Sequence, residues 1–149
     1  YIYLCMEEFD DIRKKYQELA SKQYQDRKEK QRMATIELWK NLKPFKTPED
    51  VPDIPVVDEE LYRTFYVPKL IEAGAIPKKD LIDGQVYIGQ HRRCKVAKWN
   101  AEDEEFEYWR NKFGQVFIDT CSHFEDDDGF ALFVPIKLGT EADFEKSKG

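Results

Sequence analysis

From about residue 83 to residue 138, apolar and polar positions alternate in short runs that are separated by turn residues. Phe106 and Tyr108, for example, share one face of a run, while Glu107 falls on the other. A period of two predicts β-strands, and the Gly, Asn and Asp residues between the runs predict short turns. The predicted strands are Gln85–Gly89, Lys95–Asn100, Phe106–Arg110, Gln115–Cys121 and Phe130–Leu138.

Strands joined by short turns predict an antiparallel meander with one face packed on a helix. Aromatic residues on both faces leave two alternatives, a sheet that curls into a small, partly open barrel or a sheet that packs on a neighbouring subunit. We therefore predict an α+β fold that consists of a long N-terminal helix, a Pro-rich connector, short helices and a four- to five-stranded antiparallel sheet.

The segment from Glu7 to Leu42 contains neither Pro nor Gly and is rich in Glu, Lys, Gln and Arg, which predicts one long helix. Four apolar residues recur at intervals of three, four and three, as expected for one helical face. A polar stretch, Lys22 to Arg32, then interrupts any continuous coiled-coil pattern. Either the helix is docked at its two ends, or it is an arm that packs on a second subunit, most simply in a homodimer. The four residues are Phe9, Ile12, Tyr16 and Leu19.

Four prolines between residues 44 and 57 end the helix and predict an extended, semi-rigid connector. Short helices are expected after it, with Pro68 as an interruption and Gly74 as the C-terminal residue that ends the second helix. The residues that follow Gly139 are polar, and we expect them to be mobile. The predicted organisation is a helical arm at 1–43, a connector at 44–57, an α+β domain at 58–139 and a mobile tail at 140–149.

The formal net charge of −6 and the isoelectric point of about 5.1 argue against binding to duplex DNA, because its phosphates require a basic protein face. No apolar run approaches the ~20 residues that a membrane-spanning helix needs. Residues 1–5 are apolar but too short for a signal peptide, and Met6 is an alternative native start. Cys94 and Cys121 would then be the only cysteines. Two lone cysteines without a secretory signal suggest the cytoplasm and free thiols.

One candidate site combines two imidazoles and two thiols, which is the ligand set of structural zinc. The residues are His91, Cys94, Cys121 and His123. The alternative interpretation is ordinary core cysteines and a surface histidine, and we prefer it because the spacing differs from that of known zinc knuckles. The chain contains no signature of a catalytic nucleophile, a phosphate loop or a kinase. We therefore predict neither an enzyme nor a cofactor.

The most informative pattern is a mixed set of basic and aromatic residues in an otherwise acidic chain. Guanidinium groups bind phosphate through two hydrogen bonds, and aromatic faces stack on bases, so this set suits a small nucleotide-like ligand. The alternative is that the tryptophans are core residues and the cations face solvent. The predicted ligand-binding residues are Arg92, Arg93, Trp99, Tyr108, Trp109, Arg110, Lys112 and His123.

Several runs of the sheet region resemble small uncharacterised proteins encoded by tailed bacteriophages. These runs are Leu81–Gly89, Ala97–Asn100, Trp109–Gly114 and Asp126–Pro135. The resemblance covers about residues 61–136, transfers no activity or catalytic residue, and implies a small phage protein in a bacterial cytoplasm. Such proteins often act by stoichiometric binding. We therefore predict a non-enzymatic binding protein that blocks a host protein or sequesters a small phosphorylated ligand. The alternative is a structural protein that assembles through its N-terminal helix.

Overall fold

The computed structural model describes residues 2–54, 59–126 and 132–149, with side chains from Glu8 onward. The chain divides into two compact units, Tyr1–Asn41 and Leu42–Gly149. The first is a single helix, and the second contains a five-stranded sheet with short helices, which we call the barrel unit. The α+β class is confirmed.

Helix α1 spans Ile2–Lys40 and is 39 residues long, which corresponds to about 58 Å at a rise of 1.5 Å per residue. Its C-terminal half is stabilised locally by ion pairs one turn apart, such as the contact of 2.9 Å between the Lys40 ammonium and the Glu37 carboxylate. Within the described part of the chain, no helix combines the length and the apolar character that are needed to cross a membrane.

The start of the predicted connector is part of the barrel unit. The backbone N–H of Phe45 donates to the carbonyl of Ala73 at 2.7 Å, and Pro48 is buried at the first position of a short 3₁₀ turn, Pro48–Asp50. The Asp50 carboxylate accepts two backbone N–H bonds in this turn, which lower its pKa. This segment is therefore held by local hydrogen bonds and burial, and the end of the connector, 55–57, lies outside the described residues.

One helical segment follows, which comprises α2 (Glu59–Leu61), a π-helical turn (Tyr62–Tyr66) and α3 (Val67–Ala73). Pro68 does not separate two helices as the sequence indicates, because it lies in the first turn of α3, where its missing N–H is tolerated, directly after the π turn. Gly74 ends α3 at a φ of +124°, which confirms its predicted role.

The sheet has five strands, as predicted, and their bounds agree with the sequence pattern to within a few residues. They are β1 (Val86–Gln90), β2 (Val96–Asn100), β3 (Glu105–Lys112), β4 (Gln115–His123) and β5 (Leu132–Leu138). The strands follow chain order, and β5 also pairs with β1, so that the sheet closes into a barrel.

The prediction of a purely antiparallel sheet is wrong, because β4 and β5 run parallel. Their pairing covers only the end of β4 and the start of β5, where Ser122 is opposite Leu132 and His123 is opposite Phe133. A short connection is therefore sufficient, although parallel neighbours over their full length need a long crossover. All other strand pairs are antiparallel.

Gly89 permits the barrel to close. The β1–β5 register shifts between Ile88 and Gly89, and a Cβ atom at Gly89 would lie 2.0 Å from the carbonyl oxygen of Val134. Only glycine allows the two backbones to approach this closely. The interior is then filled mainly by aromatic side chains from alternate positions of the strands. This core consists of Tyr87, Ala97, Trp99, Phe106, Tyr108, Cys121 and Phe133.

Residues 140–149, which the sequence indicates to be a mobile tail, instead contain helix α4, Glu141–Lys146. The side chains of Thr140 and Asp143 cap each other's backbone N–H groups, and Phe144 is buried. Capping and apolar burial together account for an ordered C-terminal segment.

Candidate functional site

Four large apolar side chains lie exposed along one face of α1, near the start of its described side chains. Phe9 and Tyr16 are each 70% exposed, and Ile12 and Leu19 are about half exposed. In a heptad repeat these four residues occupy alternating a and d positions, which form one stripe along the helix. We call these four residues the helix seam.

One pair of oppositely charged residues flanks the seam at positions that face each other in paired helices. Glu8 precedes Phe9 at a g position, and Arg13 follows Ile12 at an e position. In a parallel, in-register pair of helices, a g residue faces the e residue five positions later on the partner. Glu8 of one copy and Arg13 of the other would therefore carry opposite charges at the same contact.

The structure places most of the predicted stacking residues in the interior. Trp99 is 4% exposed and Tyr108 is 1% exposed, and both belong to the barrel core. His123 is fully buried. Trp109 is half-buried, and its ring is covered by the Lys148 ammonium at 4.3 Å and by the ring of Phe144 at 6.0 Å. These aromatic faces are therefore occupied by the protein itself.

The predicted basic residues are divided between the β1–β2 loop and the β3–β4 hairpin. Arg92 and Arg93 are exposed in the loop. Arg93 also interacts with the Tyr108 hydroxyl, so it approaches the barrel end that Arg110 borders. The guanidinium of Arg110 is already paired with the Asp119 carboxylate at 3.0 Å. Lys112 lies over the ring of Phe113 at 5.4 Å, at the exposed end of the hairpin.

A shallow cleft elsewhere on the barrel unit is unsuited to phosphate. Lys78 is its central cation, and the Lys78 ammonium is bound to the Asp126 carboxylate at 2.9 Å, which raises the pKa of Lys78. The remaining charged residues are mostly acidic, so the cleft would repel an anion. The lining residues are Arg63, Lys78, Asp103, Glu104, Glu105, Ser122, Glu125 and Asp126.

A second candidate site lies around Cys94, in the loop that connects β1 and β2. His91 is buried, and its Nδ1 atom accepts the backbone N–H of Arg93 at 3.2 Å. The sulfur of Cys94 lies 3.6 Å from the same nitrogen. The other ring nitrogen, Nε2, is buried without a hydrogen-bond partner in the described part of the structure.

At this end of the barrel Cys94 packs against the core cluster that includes Cys121, and a hydrogen bond links the two thiols. Both are free, Cys94 is partly exposed, and Cys121 is buried on β4 opposite Phe106. A hydrogen bond from the Cys121 thiol and the nearby His91 ring lower the pKa of Cys94 to about 6, against the opposing effect of burial. The same hydrogen bond and burial raise the pKa of Cys121. The arrangement therefore favours a thiolate at Cys94 with Cys121 as its protonated partner.

His123 is not part of this thiol cluster. Its Nε2 atom lies 2.9 Å from the carbonyl oxygen of Ile76, and its Nδ1 atom accepts the backbone N–H of Glu125 at 3.1 Å. Both nitrogens are thus used by a neutral ring, so the 3.5 Å approach of the Glu125 carboxylate is not an ion pair. Among the described residues, no group of three or more His, Cys, Asp and Glu side chains is placed to hold a metal ion.

Sequence reasoning identified Cys94 and Cys121 only as members of a four-residue metal set. It did not predict their mutual contact, which depends on how the β1–β2 loop folds over the end of β4. The short spacing of His91 and Cys94 was the local signal, since a tight loop brings residues three apart together. Comparison with protein families, with curated proteins and with solved structures found no match. The resemblance to phage proteins therefore stays a prediction.

Proposed function

We propose that this protein is a structural, assembly-type protein that associates with a second copy of itself through α1. The helix seam is the single observation that carries this proposal, because four large apolar side chains at a and d spacing are half or more exposed. A solitary helix of such polar composition is only marginally stable in water. Pairing two seams would remove eight apolar side chains from solvent and stabilise both helices.

A second copy of this chain is the partner that fits the charges beside the seam. In a two-fold symmetric, parallel pair, the Glu8–Arg13 contact occurs twice, once on each side. The polar stretch from Lys22 to Arg32 follows, and there the a and d positions Gln23, Asp26 and Lys30 offer nothing apolar to pair. We therefore expect a short paired region and an association that depends on protein concentration.

The geometry favours assembly over the binding of a phosphorylated ligand. Trp99, Tyr108 and His123 are buried, and Arg110 is paired with Asp119. A nucleotide-like ligand would have to displace contacts that the barrel already makes, whereas a second helix would bind to a surface that is already exposed. The assembly proposal also does not depend on a phage origin.

Substitution of Leu19 by Lys tests the proposal, with Leu38→Lys as the matched control. Leu19 is 52% exposed and lies on the seam, whereas Leu38 is 64% exposed on the same helix but at a b position. Each chain would lose about 1–1.5 kcal/mol of stabilisation from apolar burial in the dimer. The dissociation constant of the dimer should therefore rise by about 100-fold. Lys and Leu have similar helix propensities, so the helix itself is retained.

Sedimentation velocity of the full chain over a concentration series measures this effect. We expect concentration-dependent dimers for the wild type and for Leu38→Lys, and monomers for Leu19→Lys. A wild-type chain that stays monomeric up to millimolar concentration would refute the proposal. Equal effects of the two substitutions would show that the seam is not the interface.

Charge reversal tests the parallel orientation separately. Glu8→Arg and Arg13→Glu each place like charges across the pair and should weaken their own homodimers. Mixing the two variants restores both opposite-charge contacts, so a heterodimer should form. If Arg13→Glu has no effect while Glu8→Arg does, the helices do not pair in the parallel register.

A further inference from the structure

The β1–β2 loop holds the sulfur of Cys94 between two groups that can exchange protons with it. His91 Nδ1 lies 3.6 Å away within the same loop, and the Cys121 thiol contacts the sulfur from β4. The loop is fixed by backbone hydrogen bonds, including that of 3.1 Å from the His91 N–H to the Cys94 carbonyl. Neither cysteine is used by the proposed assembly through α1, so the inference below is independent of it.

The remaining charged and titratable groups around the thiols come from β3 and β4. Tyr108 and Glu105 on β3 and Asp119 on β4 act on the pair, and the pKa of Tyr108 is raised by burial. The Asp119 carboxylate opposes a negative charge on Cys94, but it is itself bound by Arg110. The hydrogen bond from the Cys121 thiol and the nearby His91 ring outweigh it, so Cys94 stays the more acidic thiol.

We propose that Cys94 is a site of oxidative modification by peroxide and that Cys121 is the resolving cysteine that closes a Cys94–Cys121 disulfide. Cys94 is the partly exposed residue of the two and is therefore the one that an oxidant reaches, whereas Cys121 is buried. Reactive cysteines characteristically combine partial exposure with neighbours that stabilise the thiolate.

The chemistry balances with hydrogen peroxide as the only co-reactant. The Cys94 thiolate attacks one peroxide oxygen, the O–O bond breaks, and the departing hydroxide takes a proton to form water, which leaves a sulfenic acid on Cys94. The Cys121 sulfur then attacks the Cys94 sulfur, and the S–O bond breaks. The leaving hydroxide combines with the proton that Cys121 loses, so two thiols and one peroxide give one disulfide and two waters.

The first step also prepares the second. The negative charge on Cys94 is among the causes that raise the pKa of Cys121. Conversion of the Cys94 thiolate to a neutral sulfenic acid removes that charge and the acceptor of the Cys121 proton. The Cys121 thiol therefore becomes easier to ionise at the stage when it has to act as the nucleophile.

The pH dependence of the Cys94 reaction is a sharper readout than its rate at neutral pH. A pKa near 6 in place of about 8.5 raises the thiolate fraction at pH 7 by about 30-fold, but lower basicity reduces nucleophilicity by about tenfold. The net gain is only about threefold. The pH at which Cys94 is alkylated at half its maximal rate should instead lie more than one pH unit below that of an ordinary cysteine.

The experiment treats the full chain carrying Cys5→Ser with hydrogen peroxide and analyses peptides cleaved after acidic residues by mass spectrometry. We expect a disulfide between the Cys94 and Cys121 peptides within one chain. Addition of Cys121→Ser should abolish the disulfide and leave a sulfenic acid on Cys94 that dimedone traps. Addition of His91→Asn should raise the pH midpoint of Cys94 alkylation by iodoacetamide.

Three outcomes would overturn the proposal. The first is that dimedone labels Cys121 and not Cys94, and the second is that both cysteines are oxidised without an intrachain disulfide. The third is an alkylation midpoint of Cys94 equal to that of free cysteine. The disulfide and the pH midpoint of Cys94 alkylation are both measured on the chain with Cys94 and Cys121 intact, so these two tests do not depend on whether the Cys121→Ser variant folds.

Discussion

Replacement of Gly89 by Ala tests the closure of the barrel. The added Cβ would lie 2.0 Å from the Val134 carbonyl oxygen and 2.8 Å from the Cα of Pro135. Both are backbone atoms, so no side-chain rotation relieves the contact, and β1 and β5 must separate by more than an ångström. The pairing of Gln90 with Val134 would then be lost, together with packing along the closing pair of strands.

The expected cost is more than about 3 kcal/mol, because overpacking and the loss of buried backbone hydrogen bonds act together. Gly84→Ala is the matched control, since Gly84 has a φ of +77° and nothing within 4 Å of an added Cβ. Only the backbone conformation is penalised there, at about 1–2 kcal/mol.

Thermal unfolding followed by near-ultraviolet circular dichroism reports on the buried aromatic side chains, most of which lie in the barrel unit. At about 4 °C per kcal/mol for a unit of this size, Gly89→Ala should melt at least 12 °C below the wild type, and Gly84→Ala about 4–8 °C below it. Equal melting temperatures for the two alanine variants would refute the close approach of β1 and β5 at Gly89.

Two further predictions concern buried polar groups. Burial lowers the pKa of His123, against the opposing effects of Glu125 and Asp126. Below about pH 6.5 the unfolded chain therefore binds a proton at His123 that the folded protein does not bind, so the free energy of unfolding is unaffected by His123 above this pH and decreases as the pH falls below it. Urea unfolding between about pH 7.5 and pH 5.5 should show this decrease in the free energy of unfolding, by up to about 1.4 kcal/mol per pH unit. A His123→Gln variant should lack the decrease, and equal pH slopes for the two proteins would contradict the prediction. Tyr62→Phe leaves the carbonyl of Phe124 without the buried hydroxyl that it accepts from, and should reduce the free energy of unfolding by about 1–3 kcal/mol in urea. An unchanged value would indicate that water replaces the hydroxyl.

The assembly proposal and the thiol proposal differ in how far the sequence supported them. The spacing of Phe9, Ile12, Tyr16 and Leu19 was visible in the sequence, because a helix face depends only on local periodicity. The structure added that these side chains are exposed. The contact of Cys94 with Cys121 joins residues that are distant in the chain, and it depends on how the β1–β2 loop folds over the end of β4, which local periodicity does not specify.

Residues 140–149 illustrate a local signal that was present but not used. Thr140 and Asp143 have the spacing of a capping box, and Phe144 is an apolar residue directly behind it. The polar composition of the segment suggested mobility, but one buried aromatic side chain together with a capped first turn gives an ordered helix.

The sequence by itself determined the elements of this protein, namely one long helix, short helices around Pro68 and Gly74, and five strands. It could do so because periodicity, turn residues and caps act over a few neighbouring residues. The tertiary structure decided the parallel β4–β5 pairing, the closure at Gly89 and the burial of Trp99 in place of its exposure to a ligand. An alternating strand defines two faces, but only the closure of the barrel determines which face becomes the interior.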